Sequence, residues 1–168
     1  MPLVLNSSPL IYLAKVGLLG LLGGLPEAKL IPDGVFDEVV VKGKLRGAPD
    51  ALLVEKVIQE GIIQVRTLGD KRSVEDLLKV PGLHRADAQV LLMARELRGT
   101  AILDDEKARN VANASGIPNH GTSYLLMMFR RLGMLSKDEV RDKLDEMIRV
   151  GWRCSTDAYA EILRSAGI

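Results

Sequence analysis

Several things are scarce in this sequence, and each scarcity excludes something. Cysteine occurs once, at Cys154. One cysteine excludes an internal disulfide and any zinc centre built on several cysteines, and it fits a reducing, cytoplasmic compartment. Aromatic residues make up 4% of the chain, so aliphatic side chains must fill the core. That scarcity also argues against a binding surface of stacked aromatics, as many single-strand binders have. Charge of one sign is missing too: 23 Lys and Arg stand against 22 Asp and Glu, a formal net charge of +1. Bulk charge therefore marks neither a general nucleic-acid binder nor an acidic tail, and any nucleic-acid site must be local. Long apolar runs are absent as well. Met1–Ala14 and Val16–Pro26 carry no charge, but Lys15 divides them, and each falls short of the roughly 18 residues a membrane span needs. No basic segment precedes them and no small-x-small cleavage site follows, so the reading is a buried N-terminus of a soluble chain without membrane contact.

What is present is ordinary globular material. Hydrophobic residues are 47% and charged residues 27% of 168 residues, enough for a core without disulfide or metal support. Short apolar stretches alternate with helical patterns. Pro2–Asn6, Lys29–Ile31, Ile62–Arg66, Thr100–Leu103 and Ile117–Pro118 read as strands. The first helix is expected to be capped by Ser7 or Ser8 with Pro9 at its first position, and Asp33 to cap a helix through Val35, Val39 and Val40. Lys42–Pro49 reads as a basic, glycine-containing loop, and Ala51–Gln59, Ser73–Lys79, Arg85–Arg98, Glu106–Ala114 and Thr122–Leu132 as helices. Ser136 and Glu139 form a capping box for a helix to about Val150, and Thr156–Arg164 makes the last one. No internal repeat, low-complexity stretch or long linker interrupts the order. Residues 1–168 read as a single domain with the last two helices, about 136–166, as a C-terminal extension. Strands alternating with helices predict an α/β fold with a parallel sheet and helices on both faces.

That architecture places chemistry beyond the carboxyl ends of the strands. Strand one ends in Asn6-Ser7-Ser8, and the strand Thr100–Leu103 ends in Asp104-Asp105. Glu38, in the first helix after the second strand, and Asp87, in the first turn of the Arg85–Arg98 helix, can feed the same crevice. Carboxylates crowded together repel and lose hydration, and such clusters usually hold a divalent cation. Oxygen-only ligands suit Mg²⁺ or Mn²⁺ rather than zinc. Bound Mg²⁺ keeps waters and engages phosphate, so the chemistry this set points to is phosphodiester hydrolysis. Each acid also has an ordinary reading, as a helix-start carboxylate or part of a solvated face. Other signals point elsewhere than to function. His84 and His120 lack ligand spacing, the N-terminal glycines lack a dinucleotide pattern, and no nucleophile elbow or P-loop occurs.

The run Asn6-Ser7-Ser8-Pro9-Leu10-Ile11-x-Leu13-Ala14-Lys15-x-Gly17-Leu18-Leu19 resembles the N-terminus of small microbial PIN-domain proteins. Four further stretches resemble that family: Ile31-Pro32 with Val35-x-x-Glu38-Val39; Leu83-His84-Arg85-Ala86-Asp87-Ala88-Gln89; Ile102-Leu103-Asp104-Asp105 with Ala108-Arg109; and Gly116-Ile117-Pro118 with Gly121-Thr122. Gly151-Trp152-Arg153 and Ser155 to Tyr159 are similar to the C-terminal helices of this branch. The resemblance implies a three-layer α/β/α sandwich with a central parallel sheet. It implies a Mg²⁺- or Mn²⁺-dependent ribonuclease, in many members the toxin of a toxin–antitoxin pair, partnered by an antitoxin protein and dimeric. By motif the acids of the family fall on Asn6, Glu38, Asp87 and Asp105, with Asp104 beside the last, Ser8 where the family has a hydroxyl and Thr122 in support. Lys42, Lys44 and Arg46 have two readings, as holders of neighbouring phosphates of the RNA and as an ordinary solvated, glycine-containing loop.

One departure matters. Position 6 is Asn where active members usually have Asp. An amide offers one neutral carbonyl oxygen to a cation, but no charge and no base. Two readings therefore stand: a metal-dependent ribonuclease, and a catalytically weakened PIN domain that binds RNA or a protein partner without cutting. A third, a small-molecule α/β protein, follows from the rule that fold alone does not fix function.

Overall fold

A computed structural model describes residues 1–168. Five strands form one sheet: β1 (Leu3–Leu5), β2 (Lys29–Pro32), β3 (Gln64–Arg66), β4 (Thr100–Ile102) and β5 (Asn119–His120). Their order is β3-β2-β1-β4-β5, and every pairing is parallel. β1 reads Leu-Val-Leu because it is the central strand, buried on both faces; parallel strands between two helical layers are apolar throughout rather than alternating. Leu3, Val4 and Leu5 align with Thr100, Ala101 and Ile102 of β4. On the other edge, Leu3 and Val4 align with Lys29 and Leu30 of β2. The chain leaves β1 towards β2 and β3, then returns to β4 on its other side. The carboxyl ends of β1 and β4 are thus adjacent at the point where the winding reverses, the position where α/β sheets open a crevice.

The helices are α1 (Ser7–Lys15), α2 (Asp33–Phe36), α3 (Lys42–Leu45), α4 (Pro49–Gln59), α5 (Lys71–Leu77), α6 (Arg85–Glu96), α7 (Glu106–Ala114), α8 (Thr122–Arg131), α9 (Lys137–Arg149) and α10 (Thr156–Ala166). A 3₁₀ segment covers Leu19–Gly24. α6 packs across β1, β2 and β4, with α5 and α7 against it. Its Ala86, Ala88 and Ala94 are buried, and small side chains let a helix approach a sheet closely. α1 packs with α4, α8 and α9 in the second helical layer, completing a three-layer α/β/α sandwich. Val140, Leu144 and Met147 of α9, together with Trp152 and Ala166, join the same 46-residue apolar core as β1 and α6. No helix is long and apolar enough to cross a membrane.

The structure departs from the sequence reading at element ends. Asn6, not Ser7 or Ser8, occupies the cap of α1, so Pro9 stands at the third helical position, where its missing N–H is still one of the unpaired donors of a first turn. Asp33 is the first helical residue, and Pro32 is the cap. The Lys42–Pro49 stretch is not wholly a loop. α2 runs through a π-helical turn, Asp37–Val41, into α3, so Lys42–Leu45 is helical. Gly43 explains this: a Cβ there would come 2.9 Å from the Cβ of Ala51, so the glycine lets α3 lie against α4, and that packing outweighs its poor helix propensity. α5 starts at Lys71 because Asp70 caps it by accepting from the Ser73 N–H. The last strand is Asn119–His120 rather than Ile117–Pro118: the Ile117 N–H closes α7 on the Ala112 carbonyl, and Pro118 has no N–H to give a ladder.

Phe129 of α8 is completely buried in the core. Phe129→Ala is expected to cost about 3–5 kcal/mol, which for a chain of this size lowers Tm by roughly 10 °C. Thermal unfolding by circular dichroism checks this, and a shift of only a degree or two would contradict the packing described.

Candidate active site

The crevice at the ends of β1 and β4 has a volume of about 220 Å³. Its walls are Asn6, Ser7, Ser8, Glu38, His84, Ala86, Asp87 and Asp105. Four of the sequence-predicted acid positions, Asn6, Glu38, Asp87 and Asp105, therefore meet in one place, contributed by four separate segments.

Asn6 follows β1, and its backbone N–H donates to the Ile102 carbonyl of β4 at 2.9 Å, which fixes it at the seam of the two strands. Its side-chain Oδ1 accepts from the Ser7 N–H at 2.8 Å. Its Nδ2 donates to Asp87 Oδ1 at 2.7 Å. Both residues are nearly closed to solvent, with 7% and 6% exposure. A donor on a buried carboxylate is a strong contact, of order 1.5–3 kcal/mol. The second oxygen of Asp87 accepts the His84 N–H at 2.9 Å, so the carboxylate also satisfies the start of α6. Asp87 thus has both oxygens engaged.

Asp105 caps α7: Oδ1 accepts the Ala108 N–H at 2.8 Å. The residue itself is exposed, and its other oxygen faces no donor of the protein. Glu38 sits in the π-helical turn. The wider turn keeps Val39 and Val40 in the core while Glu38, half-buried, lines the crevice; such insertions recur at functional sites. The helix that carries Glu38 is tied to the helix that carries Asp87. The Gly34 N–H donates to Gln89 Oε1 at 2.8 Å, and a Cβ at Gly34 would overlap that oxygen.

Asp104 lies apart from this set. Oδ1 accepts the Thr122 N–H at 2.7 Å, and Oδ2 accepts both the Thr122 hydroxyl at 2.7 Å and the Trp152 indole N–H at 3.0 Å. It joins the tip of β4 to the start of α8 and to the C-terminal segment. Thr122, fully buried, supports the site only through Asp104. Lys42, Lys44 and Arg46 do not line the crevice. Lys42 pairs with Asp37 at 3.3 Å, Lys44 with Glu55 at 2.6 Å, and Arg46 donates to the Glu38 carbonyl at 3.4 Å. Two wall residues lay within quoted motifs but had no site role assigned from the sequence. His84 stands exposed at the rim, and Ser7, 5% exposed, has a buried hydroxyl without a hydrogen-bond partner. The serine run after Asn6 was visible, but which hydroxyl turns to the crevice depends on where α1 begins.

By donor chemistry the crevice suits a hard divalent cation: carboxylate, amide-carbonyl and hydroxyl oxygens, with the Ser7 hydroxyl orphaned among them. The donors line its walls rather than close on one point, and no three His, Cys, Asp or Glu side chains stand near enough together to grip an ion as placed.

Asp104→Asn replaces one accepting carboxylate oxygen with an amide NH2 that faces existing donors. The expected result is a loss of about 1–3 kcal/mol of stability and a red-shifted emission from Trp152, the only tryptophan. Asp105→Asn retains an acceptor for the Ala108 N–H and should leave that emission unchanged. Equal spectra for both variants would count against the role given to Asp104.

A family model described as a PIN domain matches the chain over residues 2–168. No curated protein matches it. PIN domains are in general divalent-metal-dependent and nuclease-type. The match runs through the strand tips, the acid-bearing helices and the C-terminal segment alike, and the chain belongs to the PIN-domain family.

Proposed function

We propose that this chain is a ribonuclease that hydrolyses RNA phosphodiester bonds at the β1–β4 crevice with Mg²⁺ or Mn²⁺. The observation that carries the reading is the meeting of Glu38, Asp87 and Asp105, from three elements, in one crevice at the reversal of the sheet. Glu38, Asp87 and Asp105 would hold the cation, with Asn6 Oδ1 as a neutral donor. When bound, the cation supplies a water of lowered pKa and neutralises charge on the phosphate. The remaining work belongs to the protein. The His84 N–H and the Asn6 amide hold Asp87 in one orientation, which preorganises the site. Asp105 lines the crevice, fixed through one oxygen by its cap bond and with the other free of protein donors.

The same reading makes the chain the toxin of a cytoplasmic toxin–antitoxin pair, bound by an antitoxin protein and homodimeric. It treats residues 1–168 as a single domain with about 136–166 as its helical extension. These statements rest on the resemblance, and the exposed Leu45, Leu52 and Leu53 of α3 and α4 offer an apolar face for such contacts.

A second reading has its own observation. The Asn6 amide places a neutral donor on Asp87 Oδ1, where an active relative would have a second acid and a shared cation. A crevice satisfied in this way suits a PIN domain that binds RNA or protein without cutting.

Labelled RNA incubated with Mg²⁺, Mn²⁺ or EDTA separates the two. The nuclease reading expects cutting with either metal that falls to background in EDTA and in Asp105→Asn. Cutting by Asn6→Asp alone would mean a scaffold disarmed at one ligand and favour the binding reading, and silence from all three proteins would count against the crevice as a reaction centre for these RNAs. Asn6→Asp also sets two buried carboxylates side by side without a donor, a repulsive pair. Its Tm is therefore expected to fall below that of the natural chain without metal, and to rise more on adding Mn²⁺.

A further inference from the structure

A second cavity, of about 530 Å³, opens beside the acidic crevice and shares Ser8 and Asp105 with it. Its other walls are Tyr12 of α1, Glu106 and Lys107 at the start of α7, and Gly151, Trp152 and Arg153 between α9 and α10, with Asp104 at its base. We propose that this groove holds the sugar-phosphate backbone of the RNA next to the scissile bond, with Lys107 and Arg153 as its phosphate ligands. The proposal rests on the nuclease or RNA-binding reading above and says where the strand runs.

Three observations support it. The first is continuity: a strand whose phosphate lies in the crevice passes Ser8 and Asp105 straight into the groove. The second is charge. An acidic crevice repels the flanking phosphates, which must therefore be met by cations close by. Lys107 and Arg153 are both exposed and neither makes an ion pair, whereas Lys42 and Lys44 are joined to Asp37 and Glu55. Glu106 is the opposing charge. The shared Asp105, at the boundary with the crevice, adds a second on its one unbonded oxygen, while Asp104 is covered by its three donors and does not present a bare carboxylate. The third is that the wall is built rather than incidental. Trp152 donates to Asp104, and the Tyr12 hydroxyl donates to the Gly151 carbonyl at 3.1 Å. Together these contacts fasten the segment bearing Arg153 to α1 and to the tip of β4. Gly82, with a φ of +82°, provides the bed for Lys107: a Cβ there would lie 2.6 Å from its Nζ.

The groove offers no platform for a base. The Trp152 ring is buried, and Lys15 lies over the Tyr12 ring, 5.9 Å from its centroid. Recognition here is of phosphate and not of base identity.

The test is fluorescence anisotropy of a labelled single-stranded RNA of mixed sequence, in EDTA to prevent cutting, over about 50–200 mM salt. The proteins are the natural chain, Lys107→Ala with Arg153→Ala, the charge-preserving Lys107→Arg with Arg153→Lys, Lys42→Ala with Lys44→Ala, and Lys56→Ala with Lys79→Ala as a surface-charge control. Trp152 emission and Tm report folding. The double alanine variant is expected to bind roughly tenfold more weakly, with a salt slope shallower by about 1.4, two phosphate contacts at ~0.7 each. The charge-preserving variant should recover most of the affinity, and the control should match the natural chain. Unchanged affinity and slope in the folded double alanine variant would overturn the groove while leaving RNA binding intact. So would a loss confined to Lys42→Ala with Lys44→Ala. No RNA binding by the natural chain would overturn both the groove and the reading beneath it.

Discussion

β1 is hydrogen-bonded along both edges and buried on both faces, so it has no polar work to do along its length. Its polarity is confined to its end. Because β4 pairs beside it in the opposite winding, the two polar ends are forced together, and everything described at the site depends on that adjacency. Asn6 and Ser7 arrive from one strand, Asp104 and Asp105 from the other. α6 crosses both strands and brings Asp87 in its first turn to the same seam.

The two aspartates after β4 divide the labour. Asp104 spends both oxygens on three donors and joins the sheet to α8 and to Trp152. Asp105 caps α7 with one oxygen and leaves the other without a donor of the protein. Adjacent residues of one type are therefore placed differently, one wholly engaged within the fold and one with an oxygen left free, because the chain turns between strand and helix there. The C-terminal segment is part of the same arrangement. The Trp152 contact ties it to the tip of β4 and sets one wall of the groove beside the crevice.

The Asn6–Asp87 contact is where fold and chemistry pull apart. A buried carboxylate needs a partner. In a metal-dependent site the cation supplies it; here an amide does so within the protein. The contact stabilises the seam and lowers the negative charge available to a cation. The same hydrogen bond thus supports the fold and weakens the case for catalysis, so the function turns on one residue more than on the architecture.

The alternation of strand and helix, the acid positions and the PIN resemblance were all legible in the sequence, because they follow from hydropathy period, turn chemistry and short motifs. Element ends were less so. Whether Asn6 or a serine caps α1 depends on Asn6 being held at the seam by Ile102. Whether Lys42–Leu45 is helix or loop depends on Gly43 meeting Ala51, a contact between segments. The basic residues show the limit most plainly. In the sequence, Lys42, Lys44 and Arg46 form a conspicuous cluster, while Lys107 and Arg153 are isolated letters 46 positions apart. The sequence by itself determined which residues carry charge and which strands are buried. Only the tertiary structure decided which charges are already paired, which lie beside the crevice, and that an amide stands against Asp87, because pairing and proximity between distant segments are set by packing and not by order along the chain.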